Sequence, residues 1–270
     1  MATMYLADFG AEVIKVEHPE RGDELRNWGH SKDGVGLYFK VLNRNKKLIT
    51  LNLGTQRGQE LARRLAADVD VVVESYRPGT MERWGLGWED LRRLNPRLIM
   101  MRVTGFGQTG PYRARPGFGT NAEAFSGAAS ITGYADRPPL LPAFGLGDST
   151  TGIHAALGIL VALHHRNVHG GGGQFIDLAL YEGLFSLLGP QVIDFDQLGL
   201  VQERQGSRLP FIAPRNTYQT SDEQWVATAA TQSVYERLAA ALNAPHLASD
   251  ARFASNQLRI ANADELDLEL

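Results

Sequence analysis

The chain has 270 residues, of which 43% are hydrophobic and 21% charged, and a formal net charge of −3. That balance supports one large domain or two modest ones and provides no broad basic footprint for nucleic acid. Cysteine is absent, which excludes thiolate nucleophiles, disulfides and Cys-ligated metal.

Residues 3–9 read as the end of a helix closed by Gly10. Short β-branched runs then alternate with helical patterns. EVIKVE (12–17), KLITLNL (47–53), DVVVES (70–75), RLIMMRVT (97–104) and QFIDLAL (174–180) read as strands. QRGQELARRLAADV (56–69) is amphipathic, with Leu61, Leu65 and Val69 on one face. WEDLRRLN (88–95) is a short helix stopped by Pro96. This rhythm predicts an α/β fold with a parallel sheet covered by helices. VQERQGSRLPFIAPRN (201–216) reads as a polar, proline-bearing linker. NTYQTSDEQWVATAA (216–230) reads as a hairpin turning at Ser221–Glu223, and helical stretches follow at 232–243 and about 258–270. The expected organisation is a large domain over 1–200, a linker over 201–215 and part of a small domain over 216–270. Both ends interrupt an expected element, so a fragment or a displaced start is the expectation. With no signal-peptide pattern and no apolar run of about 18 residues, a cytoplasmic protein without a membrane span is expected.

GFGQTG (105–110) follows a strand and matches G-x-G-x-x-G, the pattern of a dinucleotide site. Such a motif must open a helix so that the helix N-terminus meets the pyrophosphate. PYRARPGFG follows instead, with two prolines and two glycines in nine residues. HGGGGQ (169–174) reads as a flexible turn after a long helix. That helix is expected to be interrupted, for membrane purposes, by His154, His164 and His165. The seven histidines show no H-E-x-x-H spacing, so no metal is expected, and G-x-S-x-G is absent. ESYRPG (74–79) places Arg77 after a strand, at the sheet edge where α/β proteins bind ligands.

FGLGDSTTG (144–152) opens the long apolar helix. Asp148 suits an N-cap or first-turn position. Gly145, Gly147 and Gly152 leave room for a bulky group to approach its carboxylate, and a helix N-terminus stabilises negative charge developing beside it. Capping and catalysis are compatible. Amides of the helix near Ser149 are the expected oxyanion donors.

LADFGAEVIKVEHPERGDELRNW, NRNKKLITLNL, DVVVESYRPGTMERWGLGWEDLRRLNPRLI, VTGFGQTGPY, SGAASITG and FGLGDSTTG together resemble the class III CoA-transferases, the formyl-CoA and carnitine-CoA transferase group. The resemblance runs in order over nearly the whole chain. It implies a Rossmann-like large domain, the beginning of a smaller α+β domain, and an interlocked ring homodimer. It places the catalytic aspartate at Asp148, acting covalently on an acyl-CoA, with a carboxylic acid as acceptor and no cofactor beyond coenzyme A. It places CoA contacts at His18 and Leu51 on the adenine side and at Ser75, where relatives commonly carry Asn. Arg77 and Arg83 fall near the phosphates, and Phe118 beside the thioester. By the same resemblance, the family's opening strand is expected before Met1 and its closing segment after Leu270.

The same family contains α-methylacyl-CoA racemases, which place a His in the segment that reads GFG (117–119) here. LGDSTTG also differs from the racemase-like L-A-D-F. The residues leave open, beside these, a nicotinamide-dependent oxidoreductase and a non-catalytic remnant that still dimerises.

Overall fold

The computed structural model describes residues 1–270. In chain order the elements begin with α1 (Ala2–Asp8), β1 (Val13–Glu17), β2 (Ser31–Lys32), β3 (Val35–Gly36), α2 (Leu37–Asn43), β4 (Lys46–Thr50), α3 (Gln56–Asp68) and β5 (Val71–Glu74). Next come α4 (Thr80–Arg83), α5 (Trp88–Leu94), β6 (Ile99–Thr104), α6 (Gly119–Phe125), α7 (Ala128–Ile131), α8 (Leu146–Val168), β7 (Phe175–Ala179) and α9 (Leu180–Phe185). The last are α10 (Gln191–Leu198), β8 (Arg215–Gln219), β9 (Trp225–Ala229), α11 (Gln232–Ala241), α12 (Pro245–Ser249), α13 (Asn256–Ala261) and α14 (Ala263–Glu269). The fold is mixed α/β with parallel sheets, and each strand expected from a β-branched run is present.

Two compact units emerge, one of Met1–Ala128 with Pro142–Pro190, the other of Ala129–Leu141 with Gln191–Leu270. Their boundaries differ from the expected 1–200, 201–215 and 216–270. The segment expected to be a linker belongs to the second unit. There Arg204 donates to the carbonyls of Ser130, Tyr134, Ala135 and Arg137, and Gly206 pairs with Gly133. Those partners are far away in sequence, beyond what local composition can reveal.

In the first unit β5, β6 and β7 form a parallel sheet with β6 in the centre, and β1 pairs in parallel with β4 as a separate sheet. Ile99, Met100 and Met101 of β6 are fully buried. Met100 packs with Ala66, Met81 and Leu91 beneath α3, α4 and α5. Met101 packs on the other face with Ala155 and Ile159 of α8 and Ala2 of α1. A continuous apolar run is what a strand covered on both faces requires.

α8 corrects one expectation. Over 23 residues it is long and apolar enough, by length and composition, to cross a bilayer. His154, His164 and His165 do not lower its hydropathy below that threshold. In this fold its inward stripe is a core helix against β6 and β7.

The second unit surrounds Arg259, fully buried on α13. Its guanidinium lies 4.4 Å from the Tyr235 ring centroid and donates to the carbonyls of Ala213 and Phe253 and to Gln232 Oε1. Ala230, Ala239, Leu247 and Leu266 complete this core. β8 and β9 form the expected antiparallel hairpin, and Glu223 takes positive φ in its turn.

Candidate active site

Asp148 is the third residue of α8, whose N-cap is Gly145 and which has no side-chain cap of its own. Of the two expected positions, N-cap or first turn, Asp148 takes the first turn. An N-cap lies outside the helix so that its oxygen can reach back to the first amides, whereas Asp148 is already inside the first turn. Its carboxylate accepts no hydrogen bond. The first-turn amides are largely engaged: Leu146 donates to Phe144 O at 2.8 Å and Ser149 to Gly145 O at 2.9 Å. Gly147 donates to Glu123 Oε1 at 3.1 Å. The Ser149 amide is thus not the free donor expected; the amide of Asp148 itself is the one left without an acceptor.

Glu123 performs the capping from another helix. It lies on α6 and is only 4% exposed. A buried carboxylate is costly unless hydrogen-bonded, and the positive end of α8 is a favourable place for it. No motif in the sequence singles it out.

The Asp148 carboxylate rests against two glycines, Gly119 and Gly145. A Cβ on Gly145 would stand 3.3 Å from its Oδ2. A Cβ on Gly147 would stand 2.7 Å from Gly119 O, so α6 and α8 meet backbone to backbone. Asp148 nevertheless remains accessible to solvent. Partial burial of the carboxylate raises its pKa, and the nearby Glu123 charge raises it further. The result is an ionisable carboxylate with open access, no internal partner and enhanced basicity.

Thr151 anchors the turn through its hydroxyl, 2.7 Å from Gly147 O and 2.8 Å from Leu180 O. The GFGQTG loop is tied down beside α6. Asp177 of β7 accepts from the Gln108 amide through both oxygens, at 2.9 and 3.1 Å. Gly105 crosses Gly117 so closely that a Cβ on either would stand 2.6–2.7 Å from the other's Cα. No helix follows this loop until Gly119, so it presents no helix N-terminus to a pyrophosphate. Its glycines serve a backbone crossing that leads into α6.

Of the remaining candidate residues, His18, Leu51, Ser75 and Arg77 follow the carboxyl ends of parallel strands in two separate sheets. His18 follows β1 and Leu51 follows β4, and the Leu51 amide donates to Glu17 O at 3.0 Å. His18 Nδ1 accepts from the amides of Glu20 and Arg21 at 3.2 and 3.3 Å. Ser75 and Arg77 follow β5 and are exposed. Arg83 ends α4 and donates to Thr80 Oγ1 at 3.0 Å. Arg21 joins this group without any signal in the sequence. Burial and Glu74 push the Tyr76 phenol up, and the Arg21 guanidinium opposes them, so the loop after β1 is within electrostatic reach of the loop after β5. Phe118 precedes α6, beside Gly119, and is 71% exposed. The cavity of the second unit, lined by Arg208, Asp264 and Asp267 among others, carries charges that pair with one another.

The model of CoA-transferase family III matches residues 1–270, and the chain belongs to that family. It is 51% identical over 264 residues to a succinyl-CoA–D-citramalate CoA-transferase of Chloroflexus aurantiacus, covering 97% of this chain and 65% of that relative. It is 44% identical over 266 residues to the beta subunit of a succinyl-CoA–L-malate CoA-transferase of the same organism, again covering 97% and 65%. The chain thus spans slightly under two thirds of the length of these curated relatives. Among solved structures, a CAIB/BAIF family protein from Brucella suis superposes with a TM-score of 0.84 at 37% identity, covering 98% of this chain and 71% of that one.

Proposed function

We propose that this chain carries out CoA transfer from an acyl-CoA to a carboxylic acid, with Asp148 as the nucleophile. The observation that carries the reading is the Asp148 carboxylate: unpartnered, accessible and framed by glycines in the first turn of α8. An Asp148 oxygen attacks the thioester carbonyl carbon, and the C–S bond breaks. This gives a mixed anhydride and CoA thiolate. The thiolate attacks the aspartyl carbonyl carbon, releasing the donor acid and forming an aspartyl-CoA thioester. The acceptor carboxylate attacks that carbon and expels the thiolate. The thiolate then takes the acceptor acyl group and frees the Asp148 carboxylate. The N-terminus of α8, with the open Asp148 amide, stabilises the developing oxyanions.

In this reading the adenine end of CoA lies at His18 and Leu51, and Ser75 adds a hydrogen bond. Arg77 and Arg83, joined by Arg21, take the phosphates. Phe118 covers the thioester. The names of the relatives support succinyl-CoA as donor and a small hydroxy-dicarboxylic acid such as citramalate as acceptor. The same reading makes the fold Rossmann-like, the protein cytoplasmic and the assembly an interlocked homodimer. Phe118 supplies no proton-carrying group, which disfavours racemisation.

The test is trapping. Protein incubated with succinyl-CoA and then hydroxylamine acquires a hydroxamate on the peptide containing Asp148, detected by mass spectrometry. A folded protein that never acquires it with any acyl-CoA refutes the transferase reading.

A further inference from the structure

We propose that Glu123 is a positioning residue for this reaction: by holding the Gly147 amide it fixes the first turn of α8, and its charge shapes the field in which Asp148 reacts. The inference rests on the transferase reading of Asp148.

Glu123 and Gly147 lie 24 residues apart, on different helices, and meet at 3.1 Å. The Glu123 side chain is almost wholly buried and forms no ion pair with Lys or Arg. A neutral residue would stabilise this packing at lower cost, because a buried unpaired carboxylate is expensive to desolvate. The placement has two consequences at Asp148. It ties the amide preceding Asp148, so the first turn cannot rotate that donor toward substrate. It also leaves the Asp148 amide as the open first-turn donor.

The groups facing Asp148 are few. Glu123 is the charged side chain that approaches, from α6, while Gly119 and Gly145 bring no charge. Burial and Glu123 both favour the protonated acid. A more basic carboxylate is the stronger nucleophile once ionised. Glu123 therefore raises reactivity and moves the onset of activity to higher pH.

The experiment compares the wild-type chain with Glu123→Gln, which retains an acceptor for Gly147 and removes the charge. The Asp148 carboxyl carbon is titrated by 13C NMR, which needs no substrate, and the pH profile of single-turnover acylation by succinyl-CoA is measured beside it. In E123Q the NMR midpoint and the acid limb both fall toward the ordinary Asp value of about 3.9. The plateau rate falls by about threefold or more, and KM for the acyl-CoA holds. An acylated wild type whose E123Q variant titrates and reacts identically overturns the role of Glu123 and leaves Asp148 as nucleophile. A raised wild-type midpoint without acylation overturns the transferase reading and leaves only the coupling. Should E123Q fail to fold, a wild-type midpoint in the ordinary carboxylate range overturns the proposal.

Discussion

A Cβ on Gly119 would stand 2.6 Å from Asp148 Oδ2 and 2.8 Å from Asp148 Cγ. Glycine at 119 is therefore part of how the carboxylate is placed. Gly119→Ala should swing the Asp148 side chain out of its position. We expect kcat to fall by about 10²-fold, the scale of a 1 Å misplacement. KM for the acyl-CoA should change little, because Gly119 lies at the reacting end. Wild-type kcat in a folded G119A variant would show that the carboxylate does not react from this position.

Removing the nucleophile is the more direct change. Asp148→Ala should lower kcat by about 10³-fold or more, as loss of a covalent catalytic group does, with the far-UV circular dichroism unchanged. Because Asp148 caps nothing, the helix should persist. A D148A variant that melts well below the wild type would assign it a structural role instead.

Stability should carry the same signature with a definite sign. The folded-state pKa of Asp148 is raised above its ordinary value. Folding therefore favours the protonated form, and stability falls as pH rises from below the ordinary value through the raised one. Asp148→Asn removes this loss. Its melting temperature should exceed that of the wild type at pH 7 by a small margin, at most about 2 °C given solvent screening. The margin should vanish below about pH 4. A D148N variant no more stable than wild type at neutral pH would contradict the raised pKa.

The exposed guanidinium groups of Arg77 and Arg83 make no ion pairs in this structure, and Arg83 donates only to the Thr80 hydroxyl. Alanine at either should raise KM for the acyl-CoA by about 10- to 100-fold, the worth of one charge-assisted hydrogen bond. The kcat at saturation should hold. Comparing CoA with dephospho-CoA then identifies which arginine meets the 3′-phosphate.

In the second unit, Arg259→Ala would open a cavity and leave Gln232 Oε1 and two buried carbonyls without their donor. A loss of about 3–4 kcal/mol is expected in urea unfolding. Because Nη2 is buried without a partner, Arg259→Lys should recover part of that stability. An R259A variant as stable as the wild type would show that this buried cation is dispensable.

The strands are legible because β-branched runs such as VVVE and IMMRVT carry their pattern locally, and the hairpin turn because TSDEQ separates two alternating segments. Pairing is not legible. Nothing in KKLIT tells it to join β1 in a separate sheet rather than β5, since strand partners are chosen by tertiary packing. The histidines of the long helix suggest an interruption when weighed one by one, whereas mean hydropathy over its length sets its class. Asp148 stands out in the sequence, and the first turn is one of the two positions it suits there; the choice between them is not legible, because a short polar residue ahead of an apolar helix also resembles a cap. Glu123 is hidden for the complementary reason: its one partner lies on another helix. Its only trace is a lone acid among small and apolar residues in GTNAEAF, and that pattern does not reveal which helix end the acid serves.

His18 accepts two backbone amides through Nδ1, so the ring hydrogen belongs on Nε2. In the proposed CoA site this Nε2–H is a donor whose direction the turn fixes, and the ring nitrogens and ribose oxygens of an adenosine are acceptors that match. In the proposed site, raising the ionic strength should weaken the phosphate contacts of the arginines more than this contact to the base.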